Sequence, residues 1–312
     1  MSTTPSDLAA SPADAGFHAG ELAVQRKAGV RGEAARLARM LEPVTLSRGI
    51  AGFLAERTFL VVTGRSASGQ LWTSPLTGPP GFLEVRSPAE LAVHATPPAG
   101  DPLHAMPAGQ KVGLTAVEFA ARRRVRINGL LTDSGDGLVV EVEQAFGNCP
   151  QYIQQRLLAP DDDGADPAGG VRHGTELEPA DVALIRAADT FLLGTVNPER
   201  GADASHRGGA PGFVRVDDDG LWWPDYPGNN LFNSLGNLAV DPEAALLFFD
   251  FPSGRTLQLS GTAETNWAAA PHPGDTGRMV RFTPRRLVAG HLLPAHEVAF
   301  RPYPHNPPLT DE

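Results

Sequence analysis

The chain has 312 residues, 41% hydrophobic and 20% charged, which is enough apolar material for two ordinary domains or one large one and too much for a disordered chain. Gly (34) and Pro (29) are in excess without a collagen-like period, which points to many tight turns between short elements and away from a bundle of long helices. The 26 Lys and Arg against 36 Asp and Glu give a formal charge of −10, which excludes a non-specific nucleic-acid binder, and the single cysteine, Cys149, excludes an intrachain disulfide and a Cys-based zinc site.

In chain order, residues 20–41 mix Glu21, Arg26, Lys27, Glu33, Arg36 and Arg39 with Ala and Leu, the pattern of an amphipathic helix packed on the outside. A short helix is predicted over residues 48–56. Strands follow over 58–63, 70–74, 82–85, 112–119, 124–128 and 138–142, rich in Val, Leu, Phe and Thr and divided by Gly-containing turns. Residues 160–170 are acidic and rich in Gly and Pro, the composition of a linker. A second short helix is predicted over 179–188, with Pro179 suited to its first turn. Strands over 190–196, 202–206, 213–216, 245–251 and 256–260 complete the series.

The second series repeats the first. Thr58-Phe59-Leu60 returns as Thr190-Phe191-Leu192, 132 residues later, and Pro80-Gly81-Phe82 returns as Pro211-Gly212-Phe213 at 131. Arg123 and Gly129 match Arg255 and Gly261 at 132 again. One register kept over three separate segments indicates two copies of one domain, each with its own core. Short antiparallel strands with few helices indicate a small barrel. The expected division is a helical extension over 1–44, copy one over 45–158, a linker over 159–175, copy two over 176–300 and a tail over 301–312. No membrane-length apolar run or secretory leader is read, and the lone cysteine fits a reducing compartment, so a cytoplasmic location without a membrane partner is expected.

The densest cationic segment is Arg122-Arg123-Arg124-Val125-Arg126. Period-two alternation puts Arg124 and Arg126 on one face, where two guanidinium forks suit a phosphate or a carboxylate; a solvated edge strand is the other reading. Copy two offers His206-Arg207-Gly208-Gly209 instead, either an anion-binding turn or an ordinary hairpin. Further on, Tyr226, Asn229, Asn230, Asn233 and Ser234 cluster, able to hydrogen-bond a planar polar ligand or to cap a helix starting near Leu231. Cys149 reads as a small apolar residue sooner than as a nucleophile. The histidines show no metal-ligand spacing, and neither a GxxxxGK[ST] loop nor a GxGxxG motif occurs, so ATPase and Rossmann readings lack support and no metal is expected.

Four motifs carry a resemblance over about residues 17–300. They are Phe17-His18-Ala19-Gly20-Glu21-Leu22, Arg124-Val125-Arg126-Ile127-Asn128-Gly129, Gly147-Asn148-Cys149-Pro150-Gln151-Tyr152-Ile153-Gln154 and Pro224-Asp225-Tyr226-Pro227-Gly228-Asn229-Asn230. With them the chain resembles the pyridoxamine 5′-phosphate oxidase-like, FMN-binding split-barrel family, and most of all its two-copy members, known only as predicted flavin-nucleotide-binding proteins. The fold class implied is mainly β (α+β), a tandem duplication of an FMN-binding split β-barrel with peripheral helices. In that family the flavin lies between two barrels, its phosphate held on the second and third strands and the loop after them. Carried over, the implied positions are Trp72, Thr73 and Ser74 in copy one and Ser205, His206, Arg207, Asn229, Asn230 and Asn233 in copy two. Tyr226 stands beside them, and Arg124 and Arg126 lie on the strand that resembles the oxidase's substrate-phosphate strand. The family's Ser/Arg-Lys pair and its C-terminal substrate signature are absent.

The resemblance thus implies an FMN-dependent oxidoreductase acting on a small molecule, with no catalytic side chain identified. The alternatives are a flavin binder without turnover, a split barrel using deazaflavin or haem, and an interaction module without a cofactor. Two linked copies imply an intrachain pseudo-dimer, with a homodimer of chains as a further arrangement. Divergence of the copies implies that the two clefts are unequal.

Overall fold

The structure is a computed structural model, and it describes residues 16–38, 46–160, 170–269, 275–293 and 295–309. Most of the predicted linker lies outside the described residues. Among the described residues the N-terminal segment holds two helices, not one. Helix α1 (Ala19–Ala28) is opened by a His18/Glu21 capping box and closed by Gly29 at φ 71°, and α2 (Arg31–Arg36) follows. Nor does α1 lie on the outside: Glu21, Val24 and Gln25 are buried.

The first barrel begins with α3 (Arg48–Ala55), capped by Ser47. Its strands are β1 (Phe59–Arg65), β2 (Leu71–Thr77), β3 (Leu83–Ser87), β4 (Glu90–Val93), β5 (Lys111–Glu118), β6 (Arg123–Asp133) and β7 (Leu138–Asn148). They form one sheet in the order β2-β1-β5-β6-β7-β4-β3. Strands β8 (Gln155–Pro160) and β9 (Arg172–Gly174) lead to the second barrel, which opens with α4 (Pro179–Ala187). Then come β10 (Thr190–Asn197), β11 (Gly201–Gly208), β12 (Arg215–Asp217), β13 (Gly220–Pro224), α5 (Asn233–Leu238), β14 (Glu243–Asp250), β15 (Arg255–Trp267) and β16 (Arg278–Gly290). The sheet order is β11-β10-β14-β15-β16-β13-β12, the same permutation strand for strand, with β9 added beside β16. The fold is therefore mainly β, and its two sheets repeat one topology. A last strand, β17 (Ala295–Arg301), returns to pair antiparallel with β8.

Each barrel has its own core, one around Leu60, Leu114 and Ile127, the other around Phe191, Phe248 and Leu259. A third core joins them: Phe59, Val61, Val117 and Phe119 of the first barrel interlock with Leu192, Leu247, Phe249 and Phe251 of the second. Close approach here depends on small residues. A side chain at Gly113 of β5 would place its Cβ 2.5 Å from the Cα of Asp203 on β11. The two barrels thus touch backbone to backbone along β5 and β11, and the strands on either side of that contact line a cleft.

Candidate functional site

The cleft has walls from both barrels and encloses about 950 Å³, counting its open mouth. The first barrel supplies Arg124 and Arg126 from β6, and Asn148, Cys149, Gln151 and Tyr152 from the end of β7 and the turn after it. The second supplies Ser205, His206 and Arg207 from β11, Trp223 from β13, the 224–230 loop and Asn233. Strand β6 lies between β5 and β7, so the arginine-rich segment is not an edge strand. Its four arginines diverge. Arg122, at φ 50°, donates to the carbonyls of Ile153 and Pro302, and exposed Arg123 lies over Phe53. Only Arg124 and Arg126 cross to the second barrel.

Arg126 is 7% exposed and holds three groups at once. Its Nη1 donates to Asn233 Oδ1 (2.8 Å), its Nη2 donates to Ser205 Oγ (2.7 Å), and its Nε stands 3.2 Å from Asp203. Asp203 and Ser205 sit two apart on one face of β11, which is why both meet the same guanidinium. Burial pushes the Asp203 carboxyl up against the pull of Arg126. Arg124 Nη1 donates to His206 Nδ1 (2.9 Å) and to the His206 carbonyl (3.3 Å). A guanidinium only donates, so Nδ1 accepts and the imidazole carries its proton on Nε2. That tautomer matches a histidine held well below its usual range by burial and then by Arg124. Burial and the neighbouring Arg126 and Arg207 lower Arg124 to about 9, so it stays charged at neutral pH.

Arg207 and Arg278 share Asp225, at 2.9 and 2.8 Å. Four guanidiniums therefore meet two carboxylates, Asp203 and Asp225, and Arg124 has no carboxylate partner among the described residues. In a protein of charge −10 this is a local cationic excess. Among the described residues, five buried donors of cleft-lining residues, Arg126 Nε, His206 Nε2, Arg207 Nε, Trp223 Nε1 and Ser234 Oγ, make no hydrogen bond, although Arg126 Nε keeps its ion pair with Asp203. Buried donors without partners are rare, and these belong to residues that line one cleft. Aromatic surfaces complete the lining: Phe213 stacks on Tyr226, and Tyr226 meets Tyr152 at 5.2 Å. Across the mouth, Tyr152 Oη donates to the Pro227 carbonyl and Asn229 Nδ2 to Asn148 Oδ1, tying the rims together.

The residues expected from sequence divide into two groups. Arg124, Arg126, Ser205, His206, Arg207, Tyr226, Asn229, Asn230 and Asn233 all line this cleft. Trp72, Thr73 and Ser74 do not: Trp72 belongs to the first barrel's core, and Thr73 and Ser74 are fully buried. Strand register gives the reason. Leu60 faces Leu76 on β2, whereas its counterpart Leu192 faces His206 on β11. The first barrel's hairpin is two residues longer, so the true counterparts of Ser205, His206 and Arg207 are Pro75, Leu76 and Thr77. The segment His206–Gly209 is not a hairpin turn either, because His206 and Arg207 lie inside β11. Helix α5 begins at Asn233 behind a left-handed Phe232, not near Leu231. Asn229 accepts from the Leu231 amide and caps nothing, and Asn233 bridges Arg126 to Glu21.

Sequence reasoning missed Asp203, Asp225, Arg278 and Glu21. Asp203 was open to detection from its alternation with Ser205. Glu21 was not, since its role depends on α1 packing against α5, where a Cβ on Gly20 would fall 2.1 Å from the Gly236 carbonyl. Glu21 Oε1 accepts from Asn233 Nδ2 at 2.5 Å, which links the N-terminal helix to Arg126.

A family model described as pyridoxamine 5′-phosphate oxidase matches residues 177–274, most of the second barrel. No curated protein matches the sequence. Similar solved structures include HupZ of Group A Streptococcus (13% identity, 36% of this chain and 92% of that one, TM-score 0.29). HutZ, the heme storage protein from Vibrio cholerae, shares 12% identity over 36% of this chain and 95% of its own, with TM-score 0.29. A Clostridium acetobutylicum protein of the pyridoxinephosphate oxidase family, related to general stress protein 26, shares 17% identity over 37% and 90%, with TM-score 0.27.

Proposed function

We propose that this pyridoxamine 5′-phosphate oxidase-like chain, whose second barrel carries that family's domain, holds one flavin mononucleotide between its barrels and acts as a flavin-dependent oxidoreductase on a small molecule. The observation that supports it most is Arg124, a guanidinium shielded between the barrels without a carboxylate partner among the described residues, beside the unpartnered Nε2–H of His206. Such a pair wants a compact anion, and a phosphate monoester is one. The cleft fits the rest of the group as well. Its rim is aromatic, as a planar ring requires.

When bound, flavin supplies the electron and hydride transfer, so the protein's tasks are binding, orientation and electrostatics. Arg124 and Arg207 offset ligand charge, while Asp203 and Asp225 hold Arg126 and Arg207 in place. His206 is held neutral and so serves as a donor, not as a proton acceptor. Burial raises Tyr152 and Tyr226 to about 12, so both phenols stay protonated; Tyr152 donates to the Pro227 carbonyl, and Tyr226 can donate to a ligand at the mouth.

Titration of the protein with FMN, and with riboflavin as the phosphate-free control, tests this reading. One charge-assisted hydrogen bond is worth roughly 1.5–3 kcal/mol, so Arg124→Gln is expected to weaken FMN about 10–100-fold and to leave riboflavin nearly unchanged. Equal effects on both ligands would remove the phosphate from the argument. Turnover of the FMN-loaded protein with NADH or NADPH and an acceptor separates the oxidoreductase from a flavin binder without turnover.

A further inference from the structure

The repeated topology creates a second place between the barrels that corresponds to the ligand cleft. Its walls follow from register: Thr256 and Gln258 on β15 stand where Arg124 and Arg126 stand on β6, since Ile127 pairs Leu114 as Leu259 pairs Leu246. Opposite them, Pro75 and Leu76 take the positions of Ser205 and His206. The cleft's Arg124, Arg126 and Arg207 are thus replaced by the neutral Thr256, Gln258 and Thr77. Thr256 and Gln258 are 0% exposed and Leu76 2%. The space is filled by contacts between the barrels. Gln258 Nε2 donates to the Thr73 carbonyl (3.1 Å), Ser74 Oγ (2.9 Å) and Asp101 Oδ2 (3.0 Å), and Ser74 Oγ donates to Asp101 Oδ1 (2.6 Å). The Gln258–Asp101 contact reproduces Arg126–Asn233 with the charge reversed, because a carboxylate now stands where the ligand cleft has an amide.

We infer that this counterpart cleft has become a lock between the barrels, centred on Gln258, so that the chain takes one anionic ligand per molecule rather than two. A phosphate-bearing ligand is refused there three times over: the cations are gone, the Asp101 carboxyl repels it, and the donors are already engaged across the interface. The buried Gln258 amide serves stability in place of binding. The ligand half of this inference rests on the cleft reading above; the lock does not.

Two measurements decide it. Calorimetric titration of the full chain with FMN should give one equivalent, and Arg124→Gln should weaken that equivalent about 10–100-fold without revealing a second one. Two equivalents, or one that keeps wild-type affinity in Arg124→Gln, overturns the inference. Independently of any ligand, Gln258→Leu should lower the urea midpoint by leaving Ser74 and Asp101 short of a partner, with Ser74→Ala as a milder variant that removes one bond. Wild-type midpoints in both variants overturn the lock. A chain that binds no FMN yet loses stability in both refutes the flavin reading and keeps the lock.

Discussion

Glu21→Gln separates the effect of one buried carboxyl from everything else in the fold. Glu21 is 3% exposed, and burial lifts it from 4.5 to about 7, against hydrogen bonds from the His18 amide and Asn233 that pull it down. Arg200 favours its charge and Asp203 opposes it. The folded chain therefore holds this proton more tightly than the unfolded chain between pH 4.5 and about 7. The associated stability is complete below that window and is lost as pH rises through it, a change of roughly 3 kcal/mol. His18 works in the opposite sense. Burial lowers it from 6.5 to about 4, so it makes stability rise with pH over that interval by a similar amount. In the wild type the two slopes largely cancel. In Glu21→Gln the Glu21 slope is gone and that of His18 remains, and the amide, which keeps one acceptor oxygen where the carboxylate had two, shifts the whole curve without tilting it. Urea unfolding of both proteins at pH 4.5 and pH 8 should show the variant gaining about 3 kcal/mol relative to wild type between the two conditions. An identical stability difference at both pH values would refute the account of Glu21 as a carboxyl that resists ionisation.

Two further outcomes follow from contacts between the barrels. Gly113→Ala drives a Cβ to within 2.5 Å of the Asp203 backbone, which neither strand can relieve by turning a side chain. It should destabilise by about 1–3 kcal/mol in urea unfolding and weaken FMN binding by displacing β11. Cys149 is exposed and lines the cleft, so a thiol reagent should label it in the free protein and label it more slowly once FMN is present, while Cys149→Ser should retain wild-type affinity.

What could be read from sequence was what repeats or alternates. The 132-residue offset announced two copies of one sheet, and alternation along 124–128 placed both cleft arginines on one face. Loop length was the blind spot: two extra residues in the first hairpin shift β2 against β1, so Pro75 and Leu76 take the positions expected for Thr73 and Ser74. Long-range partners were the other. Nothing local to Asn233 says that it will bridge Arg126 and Glu21, since those bonds span 107 and 212 residues. The helix expected outside failed for the same reason: its polar residues include Glu21 and Gln25, whose partners, Asn233 and the Leu231 carbonyl, lie in the other half of the chain.

The ribbon formed by β8 and β17 bears on how such a protein keeps its halves to itself. A barrel that pairs with a twin can equally pair with a twin from another chain, and tandem copies invite that exchange. Here the strand leaving the first barrel is zipped to the strand leaving the second, from Gln155–Arg301 to Pro160–Ala295. Gln154 then accepts from the Tyr303 amide, and Arg122 holds the Pro302 carbonyl. The two barrels are consequently joined at both exits, and a foreign barrel would have to displace a covalent neighbour held at high effective concentration. The pairing of barrel with barrel, which separate subunits must reach by affinity, is favoured in this chain by connectivity.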